Sequence, residues 1–134
     1  MADYDLGIWP LTATGRYYDK KITGPEKLVQ RFLIEFLTAY GSDVYRPTRG
    51  TIFLTEWRKG VTNETQLFQI FTLAEHQARI NLKNEETSDD PDNERYVQTR
   101  VTKIEIAQDT VRLHLLTESR DGNATVVVPL STAN

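Results

Sequence analysis

The sequence predicts an α+β fold, two helices followed by a three-stranded antiparallel meander, in a single domain spanning residues 1–134. Three observations predict it. Apolar residues recur at helical spacing from Leu28 to Tyr40 and again from Leu67 to Leu82. The period changes to two after Arg95, and an Asp121-Gly122 pair separates the last two β-prone runs. A chain of 134 residues is the ordinary length of one domain and long enough to bury a core.

The first twenty-two residues mix polar and apolar groups irregularly, and Trp9-Pro10-Leu11 with Thr12–Gly15 reads as a short extended segment and a turn. Thr23 and Glu26 then have the spacing of a capping box, and Pro25 suits a first helical turn because its missing N–H has no helical partner there. Leu28, Val29, Phe32, Leu33, Phe36, Leu37 and Tyr40 form a broad stripe closed by Gly41, which predicts a helix over 25–40. Residues 41–60 read as turn material around Val44-Tyr45 and Thr51–Leu54. A second helix opens at Thr62-Asn63, either of which can cap, and carries the seam Leu67, Ile70, Phe71, Ala74, Ala78 and Leu82.

Residues 83–95 hold six acids, two bases and no apolar residue, so this segment is expected to bury nothing and to form a mobile acidic loop. Strands are expected at 97–107, 111–118 and 124–130. The odd positions Val111, Leu113 and Leu115 share one face; in the last strand the even positions Val126, Val128 and Leu130 do, with Val127 opposite. The first strand changes phase between Val101 and Ile104, which predicts a bulge.

Composition narrows the function classes. At 39% hydrophobic, 10% aromatic and 26% charged, the chain has globular usage. No run approaches the roughly 18 apolar residues of a membrane span, and the acidic start Met1–Asp5 has no apolar run behind it, so neither a membrane segment nor a secretory signal is expected. The absence of cysteine removes thiol nucleophiles, disulfides and cysteine metal sites. A net charge of −3 argues against a dominant nucleic-acid surface.

Candidate chemistry is sparse. Asp90, Asp92 and Glu94 alternate as in a calcium loop, but the turn glycine and terminal glutamate are missing at the required spacing, so no metal or other cofactor is expected. Glu26, Glu35 and Glu56 are the acids available for a glycosidase pair, and nothing in their spacing directs two of them into one cleft. His76 should project from the side or outer face of the second helix, and His114 away from the core. No serine lies in a nucleophile motif. No residue gives positive support to an enzyme. Arg46, Arg49, Arg58 and Lys59 interleave with Tyr45, Phe53 and Trp57; the reading adopted is that the aromatics cover the helix pair and the bases stay solvated.

Two features point to binding instead. The last strand is β-prone and uncharged, so Thr125, Val126, Val127, Val128 and Leu130 would present an open edge to a partner's strand, with Pro129 blunting its far end. The first helix has more apolar width than one stripe needs, which makes Phe32, Ile34 and Phe36 candidates for a second contact.

The ordered set Asp5-Leu6-Gly7, Thr23–Phe32, Leu37–Ser42, Pro47–Thr51, Glu94-Arg95, Leu115–Thr117 and Asp121-Gly122 resembles the sheath-initiator, or lysozyme-like baseplate wedge, family of contractile phage tails. The resemblance runs from about residue 5 to 130. The family's turn after the first helix is matched by Pro47 and Gly50; its Glu-Pro-Arg signature is represented by Glu94 and Arg95 without the proline. The resemblance implies a non-enzymatic virion protein of the tail baseplate, assembled in the host cytoplasm. It would join wedge and tube proteins to the first sheath ring in a sixfold ring, without nucleic acid or membrane, and its sheet would accept strands from the tail sheath protein while the first helix packs on wedge proteins. The alternative is another small tail-completion protein, a terminator or connector, and after it a peptidoglycan hydrolase.

Overall fold

The computed structural model describes residues 3–8, 24–61, 63–106 and 109–131. In chain order these form β1 (Asp3–Ile8), α1 (Gly24–Leu37), α2 (Phe53–Lys59), α3 (Glu64–Glu85), a 3₁₀ turn (Asp92–Glu94), β2 (Tyr96–Ile106), β3 (Thr110–Ser119) and β4 (Gly122–Ser131). The α+β class read from the sequence is borne out. The residues group into two units: Met1–Val29 with Pro91–Asn134, and Gln30–Asp90. The Trp9–Leu11 segment and the Thr23 cap lie outside the described residues.

The first unit is built on a sheet of strand order β1-β4-β3-β2. β2, β3 and β4 make the expected antiparallel meander, with β3 and β4 paired from Thr110↔Ser131 to Ser119↔Gly122. The turn is shifted by one residue from the Asp-Gly reading: Arg120 and Asp121 form it, and Gly122 opens β4 at a φ of +103°. Ser119 closes it, its hydroxyl donating to the Gly122 carbonyl at 2.8 Å and accepting from the Asp121 N–H at 3.1 Å. The alternation is as expected: Val111, Leu113, Leu115, Ala124, Val126, Val128 and Leu130 are buried. A register shift between Val101 and Lys103 is the expected bulge, and a second lies between Tyr96 and Gln98.

The expectation that the Ala124–Leu130 strand forms the sheet's outer edge is overturned. β1 pairs parallel to it through Asp3↔Asn123, Tyr4↔Ala124, Asp5↔Thr125 and Ile8↔Val127.

The acidic segment is corrected as well. Glu94 is buried, its Oε2 accepting the Gly24 N–H at 3.1 Å and its Oε1 pairing with Lys27 Nζ at 3.0 Å. A carboxylate thus meets the N-terminus of α1, where helical N–H groups lack partners and the dipole favours negative charge. Residues 83–85, read as loop, are the last turn of α3.

The second unit holds the rest of α1 with α2 and α3. α1 stops at Leu37, three residues before the expected end. The chain turns there to pair with Thr51: the Thr51 N–H donates to the Thr38 carbonyl at 2.8 Å, and the Tyr40 N–H to the Thr51 carbonyl at 3.1 Å. α2 was read as turn material because its seven residues are too few to show a period. It is organised by Thr51, whose hydroxyl accepts the Phe53 N–H at 3.2 Å and donates to the Phe36 carbonyl at 2.7 Å. α3 starts where the sequence offered a cap: Asn63 Oδ1 accepts the Gln66 N–H at 2.8 Å.

Phe36 centres the aromatic core of this unit. Its ring lies 5.2 Å from Phe32, 4.3 Å from Phe53 and 5.2 Å from Phe71 by centroids. Such offset and tilted pairs add about 0.5–1.5 kcal/mol beyond the area buried.

Candidate partner-binding surfaces

Two kinds of site-bearing residue separate in the structure: those that hold the loop after α1 in place, and those that remain on the surface. The loop is held by one buried carboxylate. Glu35 is 1% exposed, and its position three residues after Phe32 puts it on the same face as the apolar stripe of α1. Its Oε1 accepts from Arg49 Nε at 2.6 Å and Nη2 at 2.5 Å, so two guanidinium N–H groups converge on one charged oxygen. Its Oε2 accepts the Gly50 N–H at 2.5 Å and Asn81 Nδ2 at 2.9 Å. Asn81 also donates to the Thr48 carbonyl at 3.0 Å, so α3 grips the same loop. Arg49 reaches Glu85 with its other amino group, and Arg46 lies 3.7 Å from that acid. Burial works against the Arg49 charge, but the hydrogen bond and attraction of Glu35, with Glu85 and Asp43 behind it, hold its pKa above the ordinary value.

Gly50 completes the arrangement. It is buried with φ at +92°, and a Cβ there would fall 2.6 Å from the Thr38 carbonyl oxygen. The Pro47–Gly50 turn is therefore explained by a close backbone approach and a carboxylate-bound N–H. Pro47 itself is exposed. Glu94 and Arg95 belong to the other unit, where Glu94 caps α1 and the Arg95 carbonyl accepts the Arg120 N–H at 3.2 Å. The structure thus gives Gly50, Glu94 and Arg95 scaffolding partners.

Glu35, one of the acids available for a glycosidase pair, is buried rather than on the surface and is saturated by four N–H donors. Glu56 pairs with Lys59 at 3.1 Å on the surface. No group of acids and histidines among the described residues has the geometry of a metal site. His76 is exposed and His114 faces outward, as expected; His114 Nε2 contacts Glu105, and this bond first, with attraction from Lys103 next, holds the Glu105 carboxyl below its ordinary range. Asn81 and Glu85 were not singled out in the sequence. The available signal was Glu35 itself, an acid inside an apolar stripe that must find partners.

Of the three apolar candidates on α1, Phe32 and Phe36 are fully buried, which corrects their assignment to a partner surface: α2 and α3 together use the width that looked surplus. Ile34 remains exposed. In the last strand Val126, Val128 and Leu130 are buried by side chain, whereas Thr125 is exposed and Val127 half-buried on the opposite face. The reading of residues 45–59 is half right. Phe53 is buried and stacks on Trp57, but Tyr45 is 92% exposed and Arg49 is not solvated. The remaining exposed apolar side chains include Val44 beside Tyr45, and Phe68, Leu73 and Ile80 on α3. No described helix is long and apolar enough to cross a membrane.

No family model matches the chain, and neither a curated protein nor a solved structure matches it.

Proposed function

We propose that this chain is a structural, non-enzymatic component of a contractile phage-tail baseplate. In this reading it joins wedge and tube proteins to the first sheath ring, as part of a sixfold ring, and starts sheath assembly by accepting a strand from a sheath subunit. The observation that carries the reading is the unequal pairing on the two sides of β4. β3 pairs with it along ten antiparallel positions, while among the described residues β1 contributes four parallel ones with a register shift between Asp5 and Ile8. Parallel pairing is the weaker per residue, and a short, shifted strand is the more easily replaced.

A sheath strand would engage β4 by displacing β1, whose described pairs run from Asp3↔Asn123 to Ile8↔Val127. Backbone pairing supplies the affinity. Thr125 and Val127 set the register by their outward side chains, and Val126, Val128 and Leu130 anchor the strand from below. β2 is the poorer acceptor, because two register shifts and the exposed charges of Arg100 and Lys103 blunt its edge.

Tail assembly in the absence of this chain is expected to stop at baseplates and tubes without sheath, and adding the chain back to restore polymerisation. Normal sheaths without it would overturn the reading. The strand-displacement step has its own test, made simple by the absence of native cysteine. Asp5→Cys with Thr125→Cys places thiols on register partners, and a short crosslink between them should leave the chain in baseplates that nucleate no sheath.

A further inference from the structure

We propose that Glu85 occupies an oxyanion site built by Arg31, Arg46 and Arg49, and that a carboxylate or phosphate group of a binding partner takes its place there. The three guanidiniums come from two elements: Arg31 from α1, and Arg46 and Arg49 from the loop after it. Arg46 Nη1 lies 3.7 Å from Glu85 Oε1, and Arg49 Nη1 contacts the same oxygen. Arg31 Nη2 lies 3.9 Å from Glu85 Oε2. Both carboxylate oxygens therefore face arginine, whose planar fork matches carboxylate and phosphate alike.

Two of these arginines are held in place without Glu85. Arg49 is fixed from behind, with its Nε and Nη2 on Glu35. Arg31 donates through Nη2 to the Leu82 carbonyl at 3.2 Å, and its Nη1 lies 3.6 Å from Glu86. Donors that are already placed lose little entropy when an anion arrives. Arg46 is the adjustable member. Its side chain is 64% exposed, and at 3.7 Å its contact with Glu85 is electrostatic rather than a hydrogen bond. Asp43, the acid of the same loop, turns its Oδ1 to the Tyr45 and Arg46 N–H groups at 2.9 and 3.3 Å.

Helix chemistry gives Glu85 no reason to be where it is. It is the last residue of α3, where unpaired carbonyls and the dipole favour cations. Glu86 follows directly as the C-cap, so two acids sit at an end that disfavours one. Attraction to the arginines is what holds Glu85, and the same attraction acts on any oxyanion that reaches them. The Glu85 side chain is 36% exposed, so its place is accessible from solvent. The site lies within the Gln30–Asp90 unit and uses no residue of β4, so it stands independently of the sheath reading.

The test is a titration of the purified chain with inorganic phosphate and, separately, with glutarate, at constant ionic strength, followed by NMR of the backbone amides and the arginine Nε–H groups. Glu85→Gln removes the internal occupant and keeps its volume. This variant should bind one or both anions at least about tenfold more tightly than the wild type, because a site filled from within binds only through its open fraction. The signals of Arg31, Arg46 and Arg49 should shift together. Adding Arg46→Gln should weaken that binding at least about threefold. Arg112→Gln, the same change of charge at an exposed position on β3, should not. Tighter binding of phosphate assigns the site to a phosphate group, and tighter binding of glutarate to a carboxylate. Glu85→Ala serves as a second variant if Glu85→Gln loses the wild-type circular dichroism. Loss of the fold in both variants, affinities equal to the wild type, or binding indifferent to Arg46→Gln would overturn the proposal.

Discussion

At the scale of single residues, stability is concentrated on Glu35, a carboxylate that would be costly to bury without the four N–H groups it accepts. Glu35→Ala opens a cavity, takes one acceptor from the Gly50 N–H and the Asn81 amide, leaves Arg49 with Glu85 as its remaining partner, and is expected to cost about 3–5 kcal/mol. Glu35→Gln keeps the volume but loses the charge, and about 1–3 kcal/mol is expected; urea unfolding of both variants checks the order. Gly50→Ala should cost at least about 1 kcal/mol, because φ is positive there and the added methyl meets backbone rather than a side chain that can move. Glu105 predicts a pH effect. Its carboxyl is held below the ordinary value of about 4.3 by the His114 bond and by Lys103, so the folded form titrates lower than the unfolded one. That contribution is fully present above the unfolded pKa and is lost as pH falls through the folded pKa. An NMR titration of the Glu105 carboxyl should give a midpoint below the ordinary value, and His114→Phe should move it upward.

At the scale of elements, what could be read from the sequence follows the strength of local periodicity. α3 and the β2-β3-β4 meander were legible because Leu67–Leu82 and the alternating valines and leucines repeat through several turns or pairs. α2 is too short to show a period, and its start depends on the Thr51 hydroxyl, whose second partner is the Phe36 carbonyl fifteen residues away. β1 was missed for a related reason. Its partner is β4, more than a hundred residues later, and parallel pairing at that range leaves no turn signal nearby. The same long-range contact removes β4 from the sheet edge. Removing residues 1–8 should therefore lower hydrogen-exchange protection at least about tenfold for those β4 amides that face β1, and leave β3 protected. Unchanged β4 protection would show that β1 does not guard that strand.

At the scale of the whole molecule, α1 is the element that both units share. Its residues up to Val29 group with the sheet and those from Gln30 with the helices, and buried side chains lie on both sides of that boundary: Leu28 and Val29 before it, Phe32, Leu33 and Phe36 after it. A helix transmits strain along its hydrogen-bond ladder, so a break near the boundary should be felt by each group of residues. Gln30→Pro removes one N–H from the ladder and sets the ring against the carbonyl of Glu26, a cost of about 3 kcal/mol or more. Gln30→Ala at the same half-exposed position should be close to neutral and serves as the control. In Gln30→Pro, the helical circular dichroism and the exchange protection of β3 should fall together along one denaturation curve. If the β3 amides keep wild-type protection while the helical signal is lost, the sheet folds without the intact helix, and α1 is a connector rather than a shared support.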